Sequence, residues 1–301
     1  MRVLVTGSTG FLGRHLVRDL VEAGHTVRCF HRPTSDLAPL ADLPVTFAEG
    51  DVLLPASLRA AVEGVDAVVH LVGILRERDS TFEEVNVGGV RHLLEACERV
   101  GVRRVIHLGA LGTSERHPTR YARTKAVGER IWRESDREYA ILRPSVVLGP
   151  GGDFTERVLA LIRRHRRVPV VGHGRNRIQP IWIDDAVRAI GAALQAPPRR
   201  TWELVGPDRL TWDAFVLRLA EGMGLPRRIR HVPAGLARLV SAAGVLVGRE
   251  PAVTRDELFF LRQDLVGRVE PFQELVGEPP TSLDTRIARL FPGPDPSSAA
   301  V

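Results

Sequence analysis

The first fourteen residues constrain this chain more than any other stretch. Residues 1–5 (MRVLV) form a short apolar run, and TGSTGFLGR follows at once over 6–14. Gly7, Gly10 and Gly13 stand in a G-x-x-G-x-x-G pattern. Phe11, Leu12, Leu16, Val17, Leu20 and Val21 then recur with helical spacing up to Gly24, and 26–30 is a second apolar strand. The spacing predicts strand, glycine turn, helix, strand, half of a dinucleotide-binding βαβ unit. Gly7 would let the chain turn tightly, Gly10 would let backbone approach a pyrophosphate, and Gly13 would let the helix pack close to the sheet. Free N–H groups at the helix start, and the helix dipole, favour anionic phosphates. Ser8, Thr9, Phe11 and Leu12 share this loop and join the glycines as candidate cofactor contacts. A glycine-rich turn without a ligand is the competing reading.

A chain of 301 residues suits one large domain, or a core with a smaller lobe. Hydrophobic residues make up 44% and mean hydropathy is −0.04, so a sizeable core can form. No stretch reaches the roughly 18 apolar residues needed to span a bilayer. The N-terminal apolar run belongs to the glycine pattern and does not read as a signal peptide. Cys29 and Cys97 lack metal-ligand spacing and read as reduced core thiols of a cytoplasmic protein. The net charge of +6 rests on arginine, because Lys125 is the only lysine. No zinc, helix-turn-helix or RNA-binding signature accompanies that charge, so nucleic acid is not expected as a partner. A short Pro/Ser/Ala tail over 292–301 reads as disordered.

After the second strand the chain reads HRPTSD, with no acid where an NAD-preferring site usually binds ribose hydroxyls. Arg32 stands about where a 2′-phosphate would lie, so NADP(H) is expected to be preferred, with NAD(H) possible as cofactor; a solvated surface arginine is the alternative. Residues 45–51 (VTFAEGD) form a third strand, whose Asp51, beside Val52, could accept from the adenine amino group; a plain turn Asp is the alternative. Residues 66–72 form a fourth strand, with Leu71, Val72 and Gly73 as candidate cofactor contacts at its end, and His70 reads as a core histidine. A long helix over 81–101 carries Asn86, locally disfavoured there, which suggests a bend or a held water. A fifth strand follows at 104–109.

Chemistry concentrates in the next helix, at Tyr121-Ala-Arg-Thr-Lys125. Four residues is about one helical turn, so Tyr121 and Lys125 share a face. A nearby ammonium would lower the phenol's pKa and let it pass a proton near neutrality, and the same lysine could hold a nicotinamide ribose. The sixth strand, 139–148, contains Pro144, a further candidate contact. Up to here strands and helices alternate. The fold class expected is α/β: a Rossmann-type doubly wound parallel sheet in order 3-2-1-4-5-6 plus an extra strand, with a small mixed C-terminal substrate lobe. We expect 1–150 as the nucleotide-binding domain, completed by about 178–206, with 151–177 and 207–291 forming the lobe.

The second half changes character. A helix over 154–166 ends in Arg-Arg-His-Arg-Arg, and a Gly-rich turn precedes Arg177 and QPIWIDDAVRAIGAAL. Arg177 is a candidate for binding an anionic substrate group. Asp184 and Asp185 complement a helix dipole in preference to holding metal. Thr211 caps a helix running to about 225. The nearly apolar 234–247 is either a lobe helix or a sticky surface for a membrane or a respiratory-complex partner. A last helical segment is expected over 254–265.

Taken together, TGSTGFLG, the Gly-Asp at 50–51, VNVGGV, YARTK, LRPSVVLGPG and QPIWIDDAVRAI resemble the short-chain dehydrogenase/reductase superfamily in its extended and atypical branches. Within it, ILRE, TFEEVNVGGVRHLLEA, RYARTKAVGE and PAVTRDELFFLRQD look like bacterial relatives of the nucleotide-binding accessory subunit of respiratory complex I, and GHTVRCFHRPTSDLAPL looks like sugar-nucleotide epimerases and hopanoid-associated epimerase-like reductases. The resemblance implies an NAD(P) cofactor, a Tyr–Lys pair at the nicotinamide and a small substrate lobe. One departure matters. Active members usually carry Ser or Thr just after strand five, where this chain reads HLGALG; Thr113 and Ser114 are the nearest hydroxyls. Two functions compete: an oxidoreductase or epimerase/dehydratase-type enzyme working through Tyr121 and Lys125, and a non-catalytic NADP(H)-binding accessory module of a larger complex.

Overall fold

The computed structural model describes residues 1–237 and 254–291. The expected helix over 234–247 is described only to Ala237, and the tail at 292–301 lies outside the described residues. Two compact units emerge: unit 1 comprises Met1–Pro144, Ile183–Leu204 and Arg268–Pro279, and unit 2 the remainder.

Unit 1 is built on a seven-stranded parallel sheet. Its strands are β1 (Arg2–Thr6), β2 (Thr26–His31), β3 (Thr46–Glu49), β4 (Ala67–His70), β5 (Arg104–Leu108), β6 (Glu138–Pro144) and β11 (Arg200–Leu204). Their spatial order is β11-β6-β5-β4-β1-β2-β3, the expected 3-2-1-4-5-6 with one strand added beyond β6. Parallel strands covered on both faces need apolar side chains on both. Val3, Leu4, Val5, Val68, Val69, Val105 and Ile106 accordingly have no exposed surface. The crossovers are α1 (Phe11–Glu22), α2 (Pro55–Val62), α3 (Gly89–Val100), α4 (Arg120–Glu134) and α6 (Ile183–Ala193).

A π-helical turn, Glu84–Gly88, leads into α3 and contains Asn86, the residue whose place in a helix looked costly. The reason lies in the packing. A Cβ on Gly128 of α4 would come within 2.6 Å of the Asn86 carbonyl oxygen, so the widened turn presses its backbone directly onto α4.

Unit 2 holds the short strands β7 (Val147–Leu148), β8 (Arg167–Val171), β9 (Arg177–Ile178), β10 (Ile181–Trp182), β12 (Leu210–Thr211) and β13 (Arg228–Val232), paired two by two. Among the described residues its two longer helices are α5 (Asp153–Arg164) and α7 (Trp212–Gly222). Thr211 caps α7 by accepting from Ala214 N at 3.1 Å, as its sequence position suggested. Phe154, Trp212 and Phe215 pack ring against ring between these helices. Buried Gln179 ties three segments: its Nε2 donates to Gly206 O, and its Oε1 accepts from Gly267 N and Arg209 Nε.

Two sequence expectations change here. The helix expected as the last, over 254–265, is shorter, and the helices Glu270–Val276 and Leu283–Ile287 follow it. It spans Arg255–Phe260, after which Leu265 pairs with β9 through Ile178. The stretch 207–291 is also not one lobe. The helix Glu270–Val276 lies in unit 1 on α6 and β11, where Phe272 is fully buried.

Candidate functional site

The carboxyl ends of β1, β4 and β5 lie side by side, with Thr6 opposite His70 and His70 opposite His107. A glycine follows each: Gly7, Gly73 and Gly109. Ligands of open parallel sheets bind outside this edge.

Gly7 has φ +75°, a left-handed conformation open to glycine, and a Cβ there would press on Val72 N at 3.2 Å. Leu71 N donates to Thr6 O, which fixes the close passage of 71–72 beside the turn. Gly13 has no room for a Cβ, which would fall 2.7 Å from Ser8 Cα, so α1 packs directly on the turn. Gly10 differs. A Cβ there would meet nothing but the Gly7 carbonyl, and no side chain caps the start of α1. The N–H groups of Phe11, Leu12 and Gly13 therefore form an uncapped helix start beside open space, a cradle fit for a pyrophosphate. Ser8 is fully buried and its hydroxyl donates to Phe30 O, so its side chain serves the fold.

Arg32 is exposed just past β2 and makes no ion pair with a described residue; its N–H donates to Ser35 Oγ. Asp51 Oδ1 accepts from Leu53 N at 2.9 Å, which is turn-closing work. Val52 is buried and meets Gly89, and its carbonyl pairs with His92 Nδ1. Pro144 is buried, and its carbonyl accepts from Leu111 N.

Tyr121 and Lys125 come off one face of α4. Lys125 is buried, 5% exposed, and its Nζ donates to Leu108 O at 2.5 Å. A Cβ on Gly73 would sit 3.3 Å from both Lys125 Nζ and Asn86 Oδ1, so the three groups converge. Asn86 is locked: its Oδ1 accepts from Ile74 N and its Nδ2 donates to Thr124 Oγ1. The Thr124 hydroxyl in turn donates to Tyr121 O. Burial pushes the Lys125 ammonium down to about 8, although Glu129 pulls it up. The Tyr121 ring packs edge-on against Phe82 at 5.8 Å.

The expected lowering of the phenol by Lys125 is not found. Burial instead raises Tyr121 to about 12, so the phenol holds its proton at neutrality. His70 and His107, stacked at 5.5 Å beneath the site, are held neutral: burial drives His70 down to about 3 and His107 well below its ordinary value. Thr6 Oγ1 pairs with His70 Nδ1 at 2.8 Å, the core role expected for that histidine.

Sequence reasoning missed Glu129. One turn beyond Lys125, its side chain is wholly buried and is gripped by Arg143 (Nη2 2.6 Å, Nε 3.0 Å) and by Arg133 (2.5 Å). A Cβ on Gly109 would fall well inside contact distance of Glu129 Oε1. The carboxylate therefore leaves no room for a side chain at Gly109, within the HLGALG segment that carries no hydroxyl. Thr113, 7% exposed, donates to Ala110 O at 2.9 Å and lies 3.4 Å from Glu129 Oε1, while Ser114 is exposed.

In unit 2, Arg177 meets Asp264 at 2.7 and 2.9 Å, and its backbone N donates to the same carboxylate. That contact holds Asp264 below the usual carboxylate range and meets the charge that the sequence reading reserved for an anionic substrate. Asp185 is buried and pairs with Arg188 at 2.7 Å. Among the described residues no cluster of His, Cys, Asp and Glu could hold a metal ion. Cys29 and Cys97 are free buried thiols, pushed up by burial to about 11 and about 12.

Comparison with known proteins agrees with this geometry. A ceramide reductase from Caulobacter vibrioides is 32% identical over 262 residues, spanning 86% of this chain and 81% of that protein. The mitochondrial NADH dehydrogenase (ubiquinone) 1 alpha subcomplex subunit 9 of Rattus norvegicus is 32% identical over 301 residues, spanning 95% of this chain and 78% of that protein. The UDP-glucose 4-epimerase of Thermotoga maritima, solved with UDP-glucose, superposes with a TM-score of 0.78 at 21% identity, covering 96% of this chain and 97% of that one, a likeness of fold. The glycine cradle, the Tyr–Lys helix and all of the seven-stranded sheet but Arg2 fall within residues 3–204, which match the model of the NAD dependent epimerase/dehydratase family, and to that family the chain belongs.

Proposed function

We propose that the protein is an NADP(H)-preferring oxidoreductase that reduces a carbonyl, or oxidises the matching alcohol, on a largely apolar substrate. The observation that carries this reading is the convergence of Gly73, Asn86 and buried Lys125 at the carboxyl edge of the sheet, with Tyr121 on the same helix face as Lys125. The cradle at Gly7–Gly13, with Leu71 and Val72 behind it, would hold the cofactor pyrophosphate, and Lys125 would hold the nicotinamide ribose. A reduced nicotinamide, when bound, supplies the hydride that the carbonyl carbon gains. Tyr121 donates its proton to the carbonyl oxygen. A phenol kept protonated by burial suits that direction. Ser114, and Thr113 if its contacts loosen, would supply the hydrogen bond to the substrate oxygen. With its charge met by Asp264, Arg177 serves as a clasp within unit 2, and the likeness to a ceramide reductase supports an apolar substrate.

The preference for NADP(H) rests on Arg32, exposed and without an ion pair among the described residues. One charge-assisted contact to the 2′-phosphate is worth about 1.5–3 kcal/mol, or about ten- to a hundred-fold in affinity. Titrating NADPH and NADH into the wild type and Arg32→Ala tests it: the variant should lose the preference, and equal affinities in the wild type would refute it. A second reading, a non-catalytic NADP(H)-binding accessory module, is favoured by one observation, the Glu129 carboxylate pressed against Gly109 in the segment that carries no hydroxyl. NADPH binding without oxidation across a panel of long-chain ketones would select it.

A further inference from the structure

Several arginines of this protein meet carboxylates, as Arg157, Arg177, Arg188 and Arg218 do. A cluster of six in unit 2 does not. Arg163 and Arg164 close α5, Arg166 and Arg167 lead into β8, and Arg228 and Arg230 lie on β13. All six are exposed, and none makes an ion pair with a described residue. The parallel pairing of β8 with β13 sets Arg228 directly opposite Arg167, and Arg228 N donates to Arg166 O at 3.1 Å. Arg227 Nε donates to Ile162 O at 2.7 Å, which fastens the start of β13 to the end of α5. The sequence offers no carboxylate between Glu156 and Asp184, nor between Glu221 and Glu250.

A helix dipole accounts for basic residues at the end of α5. It does not account for the four on or beside the strands, of which Arg167 and Arg228 face each other across the ladder at a cost to stability. An anionic surface would relieve that repulsion. The neighbouring side chains narrow the choice of surface. Leu161 on α5 is 39% exposed and Leu217 on α7 is 40% exposed. Leu217, Ala220, Leu225 and Pro226 line an open groove with Arg227 at its edge; the groove's one acid is Glu221. Exposed leucines beside unpaired guanidiniums match a bilayer interface, where phosphates meet the charges and the leucines enter the acyl boundary. Nucleic acid would leave those leucines in water, and the patch has no Phe, Tyr or Trp on which a base could stack.

We propose that this face of unit 2, from Arg163 to Arg167 and from Leu225 to Arg230, docks the protein on an anionic membrane surface. The proposal stands on charges and leucines outside the nucleotide site and does not depend on the reading given to that site.

The test is sedimentation of the full-length protein with vesicles of phosphatidylcholine, alone or mixed with phosphatidylglycerol. Binding is expected to the mixed vesicles only, and it should fall as salt rises, because screening shortens the reach of the charges. Each arginine near the surface is worth roughly fivefold in partitioning, so Arg228→Glu with Arg230→Glu should weaken binding by at least about 25-fold. Arg163→Ala with Arg164→Ala, on an exposed helix end, should also weaken it and covers the case in which the strand variant fails to fold. Equal binding to both vesicle types, binding to neither, or binding that survives both folded variants would overturn the proposal. So would tight binding of duplex DNA, lost in the same variants, without binding to vesicles.

Discussion

Gly109 is the residue at which the edge of the sheet leaves no room for a side chain, because Glu129 lies against it. The sequence shows a segment, 107–112, without a hydroxyl, but not that Glu129, twenty residues beyond Gly109, lies against it. Gly109→Ser should destabilise the protein by about 2–3 kcal/mol through overpacking against a carboxylate that Arg143 and Arg133 hold in place. Urea unfolding would show it, and an unchanged midpoint would mean that Gly109 has room for a side chain after all. Lys125 carries a second expectation. Its ammonium sits near 8 when folded against 10.5 as the ordinary value. The unfolded chain therefore binds more protons between those values, so stability should rise with pH from about 8 to about 10.5. Lys125→Met should flatten that rise in unfolding curves taken at each pH.

At the scale of elements, the glycine turn, α1 and the strand order were legible because they repeat a short local pattern with one packing solution. Asn86 was legible as a local misfit, and the π-helical turn resolves it. Gly128, which lets that turn touch α4, gave only a faint signal as a glycine inside a helix, since the neighbour it must admit is about forty residues away. The register of β4 and β5 creates a feature that spacing could not reveal, the stacked His70 and His107. Both stay neutral in the fold. For His70 the folded value is about 3 against an ordinary 6.5, so the unfolded chain takes up protons first and stability should fall as pH drops through that window. His107→Leu should make the acid limb of the stability profile shallower, a change that circular dichroism melts from pH 7 downwards would reveal.

At the scale of the whole molecule, alternating strands and helices made unit 1 readable nearly to its end. Unit 2 was harder, since strands of two residues such as β9, β10 and β12 carry no usable periodicity. The helix Glu270–Val276 returns to unit 1 through contacts with α6 and β11 that local sequence does not announce. Arg177 shows the same limit at a site, because its partner Asp264 is remote in sequence.

The central claim is that Tyr121 and Lys125 move a proton beside a bound NADP(H). Turnover and cofactor affinity of Tyr121→Phe, measured together by nicotinamide absorbance and titration, test it most directly. The account predicts turnover lower by about 10²–10⁴-fold with NADPH affinity little changed, because the ring remains and the proton relay is lost. Turnover that survives Tyr121→Phe intact would contradict it.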